Sequence, residues 1–400
     1  MRGSALLAGL SAAFVGLASS WATAEEVVKI GVLADIAGTS ADIGGIGSVE
    51  AVKLAVKDFG GKVNGKRIVV VSADHQQKPD IGSAIASRWY DRENVNVIID
   101  VPVSSVALAV QKVAERRKKL FLITLGTSAI FTSKTCSPYS IHWADDTNAL
   151  AKGTARAVLN NGGDTWFFIS ADFIFGRILE AAARGVIATG KGIVKGGVKA
   201  PLNTPDFSSF LLQAQASKAK IVGLGVVGSD FINVVKQASE FGIVAGGQNL
   251  VGFLVFSSDI HSLGLKAANG LQIVTSFYWD QSKESRVFAK KFMKVRKVMP
   301  TKGHAMNYAA TIHYLQAVKA TGSTDALKVA HWMKKNPADY FGQKATVRND
   351  GRVMFDLALY QVKSPKASKG PWDYYKKLVV LKGKDAFAPM DAKRCNFAPK

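Results

Sequence analysis

Residues 97–131, VIIDVPVSSVALAVQKVAERRKKLFLITLGTSAIF, contain two short apolar runs that each end in small hydroxylated residues. VIID gives way to VPVSS and then to an amphipathic stretch, ALAVQKVAERR; LFLIT gives way to LGTSAIF. Short β-branched and aliphatic runs separated by a helix-length amphipathic segment indicate parallel strands joined by a helical crossover. In a sheet built this way the carboxyl ends of the strands open onto a crevice, which is where ligands bind. The residues that follow the two runs, Val101 to Ser105 and Gly126-Thr127-Ser128, include no acid, base or metal ligand. They offer hydroxyls, backbone N–H groups and a glycine.

The same rhythm extends in both directions. Upstream, VVKIGVLAD, KRIVVVSAD and VNVIID alternate with the helical stretches GSVEAVKLAVKDFGG and DIGSAIASRWYDREN. After His142 it restarts: TWFFIS, KGGVKA, KIVGLGVVG, NLVGFLVF and LQIVTSFYW are interleaved with helices over FGRILEAAARGVIATG, FSSFLLQAQASK and DFINVVKQASEFG. Two sets of alternating elements predict an α/β fold of two doubly wound parallel-sheet lobes. The helices over ESRVFAKKFMKVRKVM and AMNYAATIHYLQAVKATG follow one another without a strand and are assigned back to the first lobe. The last strands and turns, from VMFDLALYQV onward, are assigned to the second. The expected division is 25–141 plus 277–353 for lobe 1 and 142–276 plus 354–400 for lobe 2. Crossovers then fall near Ile141–Trp143, Ser276–Trp279 and Val353–Asp356.

At the amino terminus, Arg2 precedes the apolar run Ala5–Ala18, and small residues at Ala22 and Ala24 precede Glu25. This reads as a secretory signal peptide, residues 1–24, because the apolar run is shorter than the ~20 residues of a bilayer span. Export places the mature chain in the periplasm. It also makes a disulfide the favoured state of the two cysteines, Cys136 and Cys395. Lysine and arginine total 52 against 30 acids, a net charge of +22. The basic residues cluster only at Arg116–Lys119, Lys290–Lys297 and Lys376-Lys377, the first two within amphipathic helical patterns, and no basic stripe is interleaved with stacking aromatics. Nucleic acid is therefore not an expected partner; attraction of anions is.

Ser104 and Ser105 fall where a helix begins, and partial positive charge collects at that point. Gly126, Thr127 and Ser128 repeat the arrangement one strand over, with Gly126 allowing close backbone approach. Together they offer four or five donors to one carboxylate, each worth roughly 1.5–3 kcal/mol when the acceptor is charged. Either motif taken alone reads as helix capping. Catalytic alternatives lack their motifs: there is no G-x-S-x-G elbow, no phosphate-binding G-x-x-x-x-G-K-[ST] loop and no H-E-x-x-H helix. Gly44-Gly45-Ile46-Gly47 lacks the third glycine of a dinucleotide fingerprint. The six histidines are far apart in sequence, with none at metal-ligand spacing. No enzyme activity, cofactor or metal is expected.

The ordered segments IGVLADIAGTSADIG, VNGKRIVVVSAD, VSSVALA, LGTSA, ADFIFG, DFSSFLLQAQASKAKIVGLGVVGSD, KQASEFG and SFYWD resemble the leucine/isoleucine/valine-binding type of periplasmic substrate-binding protein. The resemblance covers nearly the whole chain after Ala24. It implies a two-lobed clamshell with a three-crossover hinge, capture of a small carboxylate ligand (a branched-chain or hydrophobic amino acid, or an aromatic or aliphatic carboxylic acid), and delivery to the permease and ATPase subunits of an ABC importer. A monomer or weak dimer is expected. A ligand sensor feeding a receptor instead of a permease is the alternative.

In the resembled family the two strand-end motifs bind the ligand carboxylate, which matches Ser104, Ser105, Gly126, Thr127 and Ser128. The family's aromatic residue before a glycine matches Phe175, and Ile43 stands where amino-acid binders carry a ring. The acid that holds an α-ammonium is expected near Gly252-Phe253-Leu254-Val255, where this chain has none. Asp172 and Asp230 each follow a strand and could replace it, or could simply cap helices. With Phe173, Phe175 and Trp279 available, the resemblance implies a less polar ligand, an aromatic or branched aliphatic carboxylate. Phe253 and Phe256 read as ordinary core.

Overall fold

The computed structural model describes residues 27–391, 393 and 395. The proposed signal peptide lies outside the described residues. From the amino end, the chain forms β1 (Val27–Ala34), α1 (Gly45–Phe59), β2 (Lys62–Val63), β3 (Lys66–Asp74), α2 (Pro79–Asp91), β4 (Val97–Asp100), α3 (Ser104–Arg116), β5 (Leu120–Ile123) and β6 (Ser140–His142). These strands make a six-stranded sheet in the order β2-β3-β1-β4-β5-β6, parallel except for the short β2. β4 and β5 are buried along their whole length. This is why both read as uninterrupted apolar runs: helices cover each face of the sheet. On α3 the buried set Val106, Ala107, Val110, Val113 and Ala114 follows helical spacing, while Lys112, Glu115 and Arg116 are exposed.

The second set comprises α4 (Thr147–Asn160), β7 (Thr165–Ala171), α5 (Ile174–Thr189), β8 (Ile193–Ala200), α6 (Ser208–Ala216), β9 (Ile221–Gly225), α7 (Ser229–Glu240), β10 (Asn249–Gly252), α8 (Ser257–Ala268) and β11 (Gln272–Thr275). Its parallel sheet runs β10-β9-β7-β8. Trp166, Phe168 and Phe253 pack mutually with centroids 5.9–6.1 Å apart inside it. Each such aromatic pair adds about 0.5–1.5 kcal/mol beyond simple burial. Phe253 is therefore core, as its sequence context indicates.

The chain then returns to the first core through α9 (Lys283–Arg296), α10 (Lys302–Thr321) and α11 (Ala326–Lys335). Phe288, Phe292, Met306 and Leu315 of α9 and α10 share a buried cluster with Val28, Val97 and Leu120. A small antiparallel sheet follows: β12 (Ala338–Tyr340), β13 (Gln343–Val347) and β14 (Val353–Met354). β15 (Leu357–Val362) pairs antiparallel with β11, β16 (Tyr375–Leu381) pairs antiparallel with β15, and α12 (Gly383–Ala386) comes next. The chain passes between the two sheet systems after β6, after β11 and after β14, which makes the three-crossover hinge of a type I periplasmic-binding fold. α8, α11, β12 and β13 are absent from the sequence reading, since short segments of mixed polarity carry weak periodicity. Cys136 and Cys395 are bridged, with Cα atoms 5.9 Å apart, and tie the loop after β5 to the chain's far end. Among the described residues no helix is long and apolar enough to cross a membrane.

Candidate functional site

In both sheets the strand order reverses once, between β1 and β4 and again between β7 and β9. At such a reversal neighbouring strand-end loops turn to opposite sides and leave a crevice. The two crevices face each other. One narrow cavity between them is lined by Thr39, Ser40 and Ile43 after β1, Pro102 and Val103 after β4, and Leu125 and Thr127 after β5; the opposite wall is Phe173, Phe175, Leu202, Val227, Leu254 and Phe256. Every lining residue lies beyond the carboxyl end of a strand or at the start of the next helix. The lining contains no charged side chain.

The lobes touch around this cavity. Ile43 and Leu125 join the second apolar cluster, and Phe173 packs against the first lobe's α3-side cluster. Asn203 Nδ2 donates to Gln77 Oε1 at 2.9 Å, and Ser229 N to Thr39 O at 3.4 Å. Gly228, at φ 58°, sits so close that an added Cβ would lie 1.9 Å from Thr39 O. The cavity's volume is ≈ 20 Å³. That is about the room of one water molecule, so a ring-bearing solute enters only as the walls part.

The two strand ends behave differently. At β4, α3 starts at Ser104 with Val103 as N-cap and no side-chain cap, leaving its first N–H groups without an intrahelical acceptor. The Ser104 hydroxyl is buried without a partner, and Ser105 is half-buried on the same turn. At β5, Ser128 accepts from Ile130 N, Thr147 Oγ1 accepts from Ala129 N at 3.1 Å, and Gly126 O bonds His142 Nε2 at 2.6 Å. The bare Cα of Gly126 is already hemmed in by Ile123, Ala107 and Phe131. Of this motif only Thr127 lines the cavity.

Ile43, Thr127, Phe173 and Phe175 are thus brought together on the cavity, with Ser104 and Ser105 directly behind Pro102 and Val103. Asp230, Gly126, Ser128 and Trp279 stand outside the lining. Asp230 Oδ2 accepts from Asn203 N at 3.1 Å, and burial pushes this carboxyl up to about 6 against the Asn203 and Thr204 N–H groups. Trp279 donates its indole N–H to Trp372 O, away from the crevice. Asp172 pairs with Arg177. Phe256, read as core from sequence, is a cavity wall; β10 stops at Gly252, so the strand-end rule applied one segment earlier would have found it.

Asp35, Asp74 and His75 converge within 4.8 Å although their spacing suggested nothing. Asp35 accepts from Gly38 N, Ser40 N and Gln77 Nε2, and His75 Nδ1 accepts from Gln77 N. The cluster holds the β1–α1 loop and aims Gln77 at Asn203.

This architecture defines a solute-binding protein of two lobes, and comparison with known proteins agrees. A family model described as periplasmic binding protein matches residues 27–370. A periplasmic binding protein from Burkholderia mallei is 44% identical, with a TM-score of 0.90 over 93% of this chain and 99% of that one. A branched chain amino acid ABC transporter periplasmic ligand-binding protein from Burkholderia xenovorans is 37% identical, with a TM-score of 0.81 over 93% of this chain and 100% of that one. A Leu/Ile/Val-binding protein homolog 6 from Brucella melitensis is 26% identical, covering 72% of this chain and 73% of the relative. The chain belongs to the periplasmic binding protein family, of the leucine/isoleucine/valine-binding, branched-chain amino acid ABC transporter type. Its members are solute-binding proteins and not enzymes.

Proposed function

We propose that this chain is the periplasmic solute-binding subunit of an ABC importer. It captures a small carboxylate of low polarity between its lobes and delivers it to a membrane permease with its ATPase. Residues 1–24 direct export; 25–141 with 277–353, and 142–276 with 354–400, form the two lobes. The carboxylate rests against the α3 N–H groups at Ser104 and Ser105 and the hydroxyl of Thr127, while Ile43, Phe173 and Phe175 enclose the apolar part. The observation that carries this reading is a charge-free aromatic cavity set against the uncapped start of α3. An α-ammonium buried there lacks a carboxylate opposite it, and an uncompensated buried charge is costly. A solute-binding protein of the same fold from Rhodopseudomonas palustris, 20% identical, is in complex with benzoate, so the architecture accommodates such an acid.

A thermal-shift screen tests this with 4-methylpentanoate, phenylacetate and benzoate against leucine and phenylglycine. A ligand at a hundred times its dissociation constant stabilises the fold by about 2.7 kcal/mol. The acids are expected to raise the melting temperature and the amino acids to leave it in place. Stabilisation by the amino acids alone overturns the reading.

A further inference from the structure

We infer that Lys302, a cation seated behind the aromatic wall of the cavity, is the residue that makes the cleft discriminate against solutes carrying an ammonium group; this rests on the carboxylate reading above. The start of α10 is stapled to the site, because Thr301 Oγ1 donates to Ile43 O at 2.7 Å and Ile43 lines the cavity. The next residue, Lys302, is 4% exposed and holds its Nζ 4.9 Å from the centroid of the Phe256 ring. Phe256 lines the cavity and Lys302 does not, so the ring stands between cation and solute.

The counter-ion points elsewhere. Asp145, in the connection between β6 and α4, receives Lys302 Nζ at 3.0 Å and Ser276 N at 3.3 Å, and neither it nor Ser276 touches the cavity. The positive end of the buried pair is therefore the end turned to the ring. In a low-dielectric wall it draws an anion and repels a second cation. A ring face already occupied by an ammonium is also a poor acceptor for another.

The acid closest in sequence to this wall does not offset the effect. Asp259 Oδ2 accepts from Phe256 N at 2.9 Å. Burial, with the charge of exposed Asp42 adding to it and the Phe256 N–H and the Lys302 charge opposing it, pushes this carboxyl up to about 8, so its neutral form dominates at neutral pH and makes it a weak counter-ion for a solute ammonium.

The test uses matched pairs that differ only in the ammonium group: 4-methylpentanoate with leucine, and phenylacetate with phenylglycine. Calorimetry on the full chain gives the acid-to-amino-acid affinity ratio. Lys302→Met is expected to lower that ratio by about threefold to tenfold. Asp145→Asn removes the opposing charge and is expected to raise it. Damage to folding alone moves both variants the same way, so opposite shifts identify the charge. Lys302→Met combined with Asp145→Asn removes the pair together, which buried pairs tolerate better than loss of one partner; its ratio should fall between those of the two single variants. An unchanged ratio, or shifts of one sign in both single variants, overturns the role of Lys302. A wild-type protein that binds leucine more tightly than 4-methylpentanoate overturns the carboxylate reading itself, and this inference with it.

Discussion

The ends of β4 and β5 lie side by side, carry the same kinds of residue and do opposite things. At the β5 end every offered group but that of Thr127, which lines the cavity, is used inside the protein: Ser128 caps the following turn, Thr147 takes Ala129 N, and His142 takes Gly126 O. At the β4 end the helix begins uncapped and the Ser104 hydroxyl is buried without a partner. The backbone leading there is strained, with Asp100 at φ 94° and the β-branched Val101 at φ 58°. Asn307 of α10 holds it in place, donating to Asp100 Oδ1 at 3.0 Å and accepting from Thr124 at 2.6 Å. Strain kept alive by surrounding bonds marks functional positions. Hydroxyl-rich strand ends are thus told apart by whether their donors are already spent, and not by composition.

If the β5 side is scaffold, damage there should cost stability and spare binding. Cys395→Ser removes the bridge to Cys136 and is expected to lower unfolding stability by about 2–5 kcal/mol. Affinity for whichever acid emerges from the thermal screen, measured well below the melting temperature, should hold. A parallel loss of affinity would break the distinction between the two ends.

The complementary change is Ser104→Pro. Proline is at home in the first helical position, where its missing N–H has no intrahelical acceptor. Val103, extended at φ −85° and ψ 114°, already has the conformation that a residue before proline prefers. The helix should form normally with two donors fewer, the backbone N–H and the Ser104 hydroxyl. Losing a hydrogen bond to a charged group is expected to weaken acid binding by about 1.5–3 kcal/mol, roughly 10- to 100-fold, with little change in melting temperature. Calorimetry that returns wild-type affinity would remove α3 from the site.

Ser128→Ala sharpens the comparison with a smaller effect. It deletes the cap of the 3-10 turn Ala129–Thr132 and should cost about 1 kcal/mol of stability, seen as a drop of a few degrees in melting temperature, while affinity stays constant.

How far the sequence carried follows the same divide. The two sets of alternating elements were legible because buried parallel strands must be apolar throughout and amphipathic helices must repeat at 3.6 residues; both constraints act locally. Thr127 was legible because cavity residues follow strand ends, whereas Ile43, Phe173 and Phe175 were reached through the family resemblance. Hydrogen-bond accounting was not: that Thr147 and His142 satisfy the β5 end depends on elements 16–18 residues away. Nor was the placement of Lys302, which reaches Phe256 and Asp145 from a helix start that reads as a plain capped terminus.

Each strand end also has a buried titrating group beside it, and their signs differ. Burial pushes Asp100 up from 3.8 to about 7, opposed by its bonds to Asn307 and Ser48 and aided by the charge of Asp35. The folded chain therefore holds a proton that the unfolded chain releases between about pH 4 and 7. The stability from Asp100 is complete below that window and is lost as pH rises through 7. His142 is held well below 6.5 by burial and by Arg352, so its contribution is present above pH 6.5 and is lost as pH falls. Asp100→Asn suits the left-handed backbone, which asparagine tolerates, and removes one titration only. The wild-type decline in stability between pH 5 and 7.5 should become shallower, by at most about 1.4 kcal/mol per pH unit. Ionised Asp100 beneath the β4 loop also opposes an anion, so wild-type acid affinity should fall modestly as pH rises through 7 and stay level in the variant. Superimposable melting and binding profiles for the two proteins would take Asp100 out of the anion site and leave its strained backbone as the sole mark of the β4 end.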